Sequence, residues 1–534
     1  MGMFLNSIVP YEKYKSISAS KYFVDKTGMI EELLSGMEGE TQYICITRPR
    51  RFGKTVAANM LGAFLGKAAD SRKVFDGLKI SKSEGYEVHL NRHNVIYIDF
   101  SEVPEKCNSY DQYITRIING LKKELRQEYA AEDGALWDIM TDIFQRTGEK
   151  YVFVMDEWDA VFHLPFVTKQ EQREFLLFLK SLLKSKVYVE LAYMTGILPI
   201  AKYSDGSELN MFAEYNMAVK RRFSEYFGFL DAEVDRLYEI YRKGTKNPGI
   251  LREDLRYWYD GYHTAGGEKM YNPRSVVCAL NDDQLANYWT SSGTYDSVFG
   301  YLKDNVADVL DDLAVLFAGE SVPAKMQEYA AVSMQLTTKD EIYSAMVVYG
   351  LLTYEDGYVS IPNKELMDSY AAMMKKESSL GYVHRLAKES QKMLEATLAG
   401  DTDSVARILE YVHDTESPIL AYNSETELAA VVNLAYLAAR DRYRIEREDK
   451  AGKGYADFIF YPVKSDGDCI ILELKVDSSP EEAIRQIKDK GYALRLKGRE
   501  SEKEMYSGRI LAVGISYERK TKKHRCKMEV LKMY

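Results

Sequence analysis

The sequence predicts an α/β protein built in series, with a parallel-sheet unit in its first two hundred residues, a helical middle, and a second α/β sheet at its C-terminal end. Three observations carry this. Short, almost continuously apolar runs alternate with helix-like segments up to about residue 200, as strands buried on both faces of a parallel sheet do. From about Phe229 the pattern turns helical and rich in Tyr and Asp. After Ser424 strand-like runs return, around a strongly signalled helix start.

In the first part the expected strands are Tyr43 to Thr47, Val95 to Phe100, Tyr151 to Met155 and Val187 to Thr195. The stretch 229–311 reads as a smaller helical lid, interrupted by Asp260-Gly261-Tyr262 and Ala265-Gly266-Gly267. Within 312–416 a helix leads to two short strands about an Asp356-Gly357 turn, the pattern of a winged-helix wing, for which a packing role is favoured over DNA reading. From Ser424 the expected order is a helix over Glu425 to Arg440, strands Tyr443 to Arg447, Tyr455 to Tyr461 and Cys469 to Val476, a helix, and strands Arg509 to Tyr517 and Cys526 to Leu531. Ser479-Pro480-Glu481-Glu482 reads as a capping box with Pro at the first helical position. The chain thus divides into 1–228, 229–311, 312–416 and 417–534.

A length of 534 residues exceeds one hydrophobic core and suits about three or four units. Hydrophobic content of 46% with 28% charged residues is ordinary for a globular protein, and no run approaches the roughly 18 apolar residues that span a bilayer. No membrane partner is expected. The N-terminus lacks a basic region followed by a long apolar run, so the expected location is cytoplasmic. Five scattered cysteines without paired spacing argue against a disulfide framework or structural zinc. A net charge of −10 leaves any polyanion contact to local patches.

The first strand runs into Arg48-Pro49-Arg50-Arg51-Phe52-Gly53-Lys54-Thr55, and the third into Asp156-Glu157. A strand feeding a loop and then a helix offers free N–H groups and the positive end of the helix dipole to an anion. This is the grammar of a P-loop that binds ATP with Mg²⁺. The chemistry needs a Lys on the β/γ-phosphates, a hydroxyl on the metal, a strand-tip Asp in the metal's shell and a carboxylate that orients water. Lys54, Thr55, Asp156 and Glu157 fill those roles. Phe52 and Gly53 complete the phosphate loop, with Arg50 and Arg51 as contacts to phosphate or to charge building during transfer. Arg48 stands where such loops usually begin with Gly, so the match is degenerate. Alone, Gly53-Lys54-Thr55 is weak, because such tripeptides arise by chance and are usually surface helix starts; the acids closing a buried strand favour the functional reading. Thr195 is placed either to sense the γ-phosphate or simply to open the loop before Gly196. For Arg221 and Arg222 a solvated face is favoured over an arginine finger.

In Cys469 to Val476 the run into Glu473-Leu474-Lys475 is apolar, so the strand is central, and a period of two puts Glu473 and Lys475 on one face. Asp457 lies in another apolar strand. Two carboxylates and a lysine entering a sheet interior cost several kcal/mol each if unpaired, so they call for mutual pairing and a divalent cation. Oxygen ligands suit Mg²⁺, with Mn²⁺ as an alternative. Phosphodiester hydrolysis is the natural chemistry, with Asp457 and Glu473 on the metal and Lys475 on the water or the transition-state charge. A buried salt bridge between strands is the bland alternative. On the preceding helix either Glu425 or Glu427 completes the set. Gln486 and Lys490 share a face of the capped helix, suited to following a nucleic-acid backbone or simply to solvent. The basic run Arg519 to Arg525 reads as a hairpin tip, either a soluble turn or a phosphate grip.

At these residues the chain resembles a bacterial family in which an AAA-like ATPase domain is fused to a PD-(D/E)xK, restriction-endonuclease-like domain. The resemblance covers nearly the whole length. It rests on Tyr22-Phe23-Val24-Asp25-Lys26-Thr27, Arg48 to Thr55, Met194-Thr195-Gly196-Ile197-Leu198, Tyr271-Asn272-Pro273, and Glu473-Leu474-Lys475 with Gln486 to Tyr492. It implies that the Arg-rich P-loop is a family trait, and that Glu427 rather than Glu425 joins Asp457, Glu473 and Lys475 in catalysis. AAA-like relatives often form rings, so a homo-oligomer is in view, although no interface is legible. Ala456 replaces the Pro of the superfamily's name, and Ala430-Val431 replace an aromatic-His pair. The expected function is an ATP-regulated, metal-dependent nuclease on nucleic acid, DNA before RNA. Its rivals are a nucleotide-driven switch that binds nucleic acid or protein without cutting, and an ATPase scaffold that handles no nucleic acid.

Overall fold

The computed structural model describes residues 2–37, 41–200, 208–289, 306–317, 319–326, 338–376, 378–415, 425–451, 454–463, 467–491 and 508–531. The chain forms two compact units, Met1–Gly293 with Pro323–Glu365, and Thr294–Val322 with Leu366–Tyr534.

The first unit is built on five strands: β1 (Tyr43–Thr47), β2 (Asn94–Asp99), β3 (Tyr151–Asp156), β4 (Val189–Gly196) and β5 (Ala213–Tyr215), with helix α1 (Lys54–Leu65) following β1. Their order is β2-β3-β4-β1-β5, and every pairing is parallel. Alternate residues of each strand feed opposite cores. Cys45, Ile96, Ile98, Phe153, Met155 and Met194 join one cluster, whereas Ile44, Ile46, Val95, Val152, Val154 and Leu191 join the other. This double burial explains the continuous apolar runs. The four expected strands form with ends shifted by at most two residues; β5 escaped notice because Ala-Glu-Tyr carries no apolar run.

One face is covered by Tyr110–Tyr129, whose N-cap Ser109 accepts from Gln112 N at 3.3 Å. It buries Tyr113, Ile117, Leu121 and Leu125 at helical spacing. Helices Asp231–Gly244, Arg252–Tyr259 and Pro273–Asp282 share a separate core around Tyr241, Leu255 and Tyr259. The wing-like hairpin is present: Thr353–Glu355 pairs antiparallel with Tyr358–Ser360 about Asp356 (φ 47°) and Gly357 (φ 89°), the two positive angles a tight twisted hairpin requires.

The second unit carries the expected order. Helix α2 (Glu425–Ala435) precedes β6 (Tyr443–Ala451), β7 (Gly454–Pro462) and β8 (Cys469–Val476); helix α3 (Pro480–Asp489) leads to β9 (Ile510–Glu518) and β10 (Lys523–Leu531). The sheet runs β6-β7-β8-β9-β10, with only β8–β9 parallel. The α3 capping box forms by half. Ser479 Oγ accepts from Glu482 N at 3.3 Å, but the Glu482 carboxylate turns to Ser478 and Arg485 instead of the cap backbone.

Candidate functional site

In the first unit the β1–α1 loop lies at the C-terminal edge of the sheet, where chain order reverses around β1, the usual crevice of open parallel sheets. Gly53 caps α1 at φ 92°, and no side chain caps the helix. The first N–H groups of α1 therefore lack a side-chain acceptor at the cap, and an anion is their natural partner. Lys54 is buried; its Nζ lies 3.2 Å from the carbonyl oxygens of both Arg48 and Pro49, and 3.9 Å from Glu157 Oε1.

Asp156 is fully buried at the tip of β3, with Thr55 facing its carboxyl. Burial, reinforced by Glu157, pushes its pKa up to about 7. Oδ1 accepts from Glu157 N at 3.1 Å, and Oδ2 is buried without a hydrogen-bond partner. Glu157 sits at φ 49°; burial raises its pKa while Lys54, and less strongly Arg50, oppose the rise. Thr195 is buried on β4 beside Ile46 of β1, and its Oγ1 also lacks a partner.

Three features of this site escaped sequence reasoning. Asp99 ends β2 in register with Asp156 and adds a third carboxylate to the edge; its signal was Tyr97-Ile98-Asp99, the same apolar run into an acid. Asp159 Oδ2 accepts from Ile197 N and Leu198 N at 3.1 and 2.9 Å, and so anchors the turn beyond Thr195. A Cβ on Gly196 would stand 2.5 Å from Asp159 Oδ1, so this close approach requires glycine. Trp289 Nε1 donates to the Arg50 carbonyl at 3.2 Å.

The degenerate position is explained by Arg48 itself. Its side chain is buried away from the loop's anion side and donates to the carbonyls of Thr47 (2.8 Å), Tyr215 (2.7 Å) and Phe223 (3.2 Å), with the guanidinium over the Phe227 ring. It ties β1 to β5 instead of contacting phosphate. Phe52 likewise packs its ring against Tyr262 in a small core, so only its backbone faces the loop. Arg51 adopts φ 68°. Arg221 and Arg222 bond to Ala265 O and to Tyr215 OH and Glu32 O.

In the second unit Asp457 of β7 and Glu473 of β8 meet across the sheet. The register Phe458↔Leu472 places them as the next facing pair. Asp457 Oδ2 accepts from Leu474 N at 2.7 Å. Glu473 is 2% exposed; burial first, then the charge of Asp457, pushes its pKa up to about 7, against the pull of Lys475. Its Oε1 accepts from Lys475 Nζ at 3.3 Å and from Gln486 Nε2 on α3, and its Oε2 is buried without a partner. Lys475 also lies 3.6 Å from Glu425 Oε1 on α2. Glu427 lies on the same helix, but its side chain is outside the described residues.

Among the described residues no three His, Cys, Asp or Glu side chains form a complete metal-ligand group. Mg²⁺ needs fewer, because it keeps several waters and takes one or two carboxylates plus substrate oxygens. Thr55 with Asp156, and Asp457 with Glu473, fit that requirement, each pair presenting one buried carboxylate oxygen without a partner. No helix among the described residues is long and apolar enough to cross a membrane.

Comparison with known proteins finds a relative along most of the chain and two matching families in separate segments. Over 521 residues the chain is 25% identical to an uncharacterized protein in the vnfD 5′ region of Azotobacter chroococcum mcd 1, with 90% of each chain covered. Among solved structures, a Walker-type ATPase of Pyrococcus abyssi aligns with a TM-score of 0.37 at 10% identity, covering 64% of this chain and 93% of that one. The Aeropyrum pernix ORC2 protein in ADPNP–ADP complexes aligns at 0.32 and 12% identity, covering 68% and 94%. In chain order, residues 9–204 match the family described as Predicted AAA-ATPase, and residues 424–525 match the PD-(D/E)XK nuclease superfamily.

Proposed function

We propose that the chain binds and hydrolyses ATP at the β1–α1 loop, and that this activity regulates a metal-dependent phosphodiesterase centred on Asp457, Glu473 and Lys475, with DNA favoured over RNA as substrate. The observation that carries the reading is Glu473: a buried carboxylate, facing a second one, with Lys475 at 3.3 Å and one oxygen left without a partner. A salt bridge kept for stability alone gains nothing from that second oxygen, because an unsatisfied buried acceptor costs about 1–3 kcal/mol. A pure binding module gains nothing from the paired acids either.

At the first site Lys54 exchanges its two carbonyl contacts for phosphate oxygens, Glu157 orients the attacking water, and Arg50 faces the charge that builds during transfer. Thr55 and Asp156 would hold Mg²⁺ there, and Asp457 and Glu473 would hold Mg²⁺ or Mn²⁺ in the second unit; when bound, the ion supplies Lewis-acid stabilisation and a more acidic water. At the second site Lys475 balances negative charge on the phosphate, Gln486 fixes the Glu473 carboxylate, and Glu427 completes the acidic set. The division into ATPase (1–228), lid (229–311), linker (312–416) and nuclease-like (417–534) segments belongs to this reading, as do a cytoplasmic setting and self-assembly.

The test is cleavage of plasmid and single-stranded DNA with Mg²⁺ or Mn²⁺, with and without ATP. Lys475→Ala should abolish cutting, and Lys54→Ala should leave cutting while removing its response to ATP. Binding without cutting under every condition would favour the switch.

A further inference from the structure

We infer that the basic cleft beyond the ends of β8 and β9 holds the phosphodiester backbone of a nucleic-acid strand next to Lys475; this rests on the phosphodiesterase reading above and extends it to a substrate-holding site. The cleft has a volume of about 690 Å³ and is walled by Ser479, Ser516, Arg519, Lys520, Lys523 and Arg525. It lies in the basic hairpin, whose tip forms between β9 and β10.

Register places it beside the acids. Lys475 of β8 pairs with Ser516 of β9, and Ser516 pairs with Arg525 of β10. Residues directly opposite one another share a face of the sheet, so Lys475, Ser516 and Arg525 form a row across three strands. Two strand spacings make that row about 10 Å long. One strand of a duplex advances about 3.4 Å of axis per phosphate, so the row is long enough to reach more than one successive phosphate. A strand whose phosphate lies at Lys475 therefore runs its neighbours into the cleft.

The charges suit that occupant. Two acids also line the cleft, and they engage two of its cations: Arg519 bonds Asp477, and Arg525 lies 3.8 Å from Glu518. Lys520 and Lys523 are exposed and make no ion pair among the described residues. Ser479 Oγ accepts from Glu482 N, which leaves its O–H proton to donate. Ammonium groups and hydroxyl donors at one concavity match phosphate oxygens, which only accept. In a chain of net charge −10 this excess is local.

The experiment is fluorescence anisotropy of the full chain with labelled duplex DNA, single-stranded DNA and duplex RNA in EDTA, so that no cutting occurs, between about 50 and 200 mM salt. The Lys520→Ala/Lys523→Ala double variant should bind about tenfold or more weakly near 0.1 M salt, with the slope of log K against log salt reduced by about 2. A control of equal charge change, Lys122→Ala/Lys123→Ala on Tyr110–Tyr129, should leave both unchanged. Equal losses in the two double variants, an unaltered slope in the first, or no binding by the wild type to any of the three probes would overturn the inference. Cleavage by the wild type with Mg²⁺ or Mn²⁺ separates the inference from the reading beneath it: a wild type that binds through the cleft yet never cuts refutes the phosphodiesterase alone, and Lys475→Ala, which removes one phosphate contact of the row, should lower the slope by about 1.

Discussion

Replacing Glu473 with Gln removes a charge that the second unit holds buried against another carboxylate. Glu473 is pushed up to about 7 from an ordinary 4.5, chiefly by burial. At 1.36 kcal/mol for each unit, that rise corresponds to about 3 kcal/mol. Above pH 4.5 the unfolded chain has released a proton that the folded protein keeps until about pH 7. The contribution of Glu473 to stability in the absence of divalent metal therefore falls by about 3 kcal/mol as pH rises from 4.5 to 7, and is level above that. Glu473→Gln abolishes this slope, so the variant gains on the wild type across the same window, less whatever the Lys475 contact contributed. Hydrogen exchange of the β8 amides in the full chain, compared between the two proteins at each pH, reads the difference with intrinsic exchange cancelled. Mg²⁺ or Mn²⁺ at pH 8 should protect β8 in the wild type and not in the variant. A difference between the two proteins that is the same at pH 5 and pH 8 would refute the reasoning, because the buried charge would then carry no free energy of its own.

Other perturbations test the first unit and the α3 start. Arg48→Met should destabilise the first unit by about 3 kcal/mol or more, since it strands three carbonyl oxygens bonded to a buried cation; an unmoved urea midpoint would show that Arg48 does not act as a strut. Gly53→Ala meets no neighbour within 4 Å, so its cost is the left-handed backbone alone, about 1–2 kcal/mol, with weaker nucleotide binding by calorimetry as the loop relaxes. Ser479→Ala should cost about 1 kcal/mol by loss of the α3 cap, read as faster amide exchange in the first turn of α3; unchanged exchange there would show that the cap carries no weight.

The sequence by itself determined what lies within reach of a short window. Short, nearly continuous apolar runs named four of the five strands of the first sheet, and Asp-Gly named the hairpin. The apolar strands that lead towards Gly53-Lys54-Thr55 and into Asp156-Glu157 pointed to the candidate phosphate loop, and a period of two put Glu473 and Lys475 on one face. Only the tertiary structure decided which strand tips lie side by side. Asp99 belongs with Asp156 because β2 pairs with β3 in register, and Asp159 reaches the turn after Thr195 because β4 lies beside β3. Arg48 became a strut once β5 supplied the Tyr215 carbonyl. The physical reason is that periodicity and capping are local and repeat along the chain, whereas the neighbours of a side chain across a sheet depend on strand order and register, which segments far apart in sequence set only when they pack.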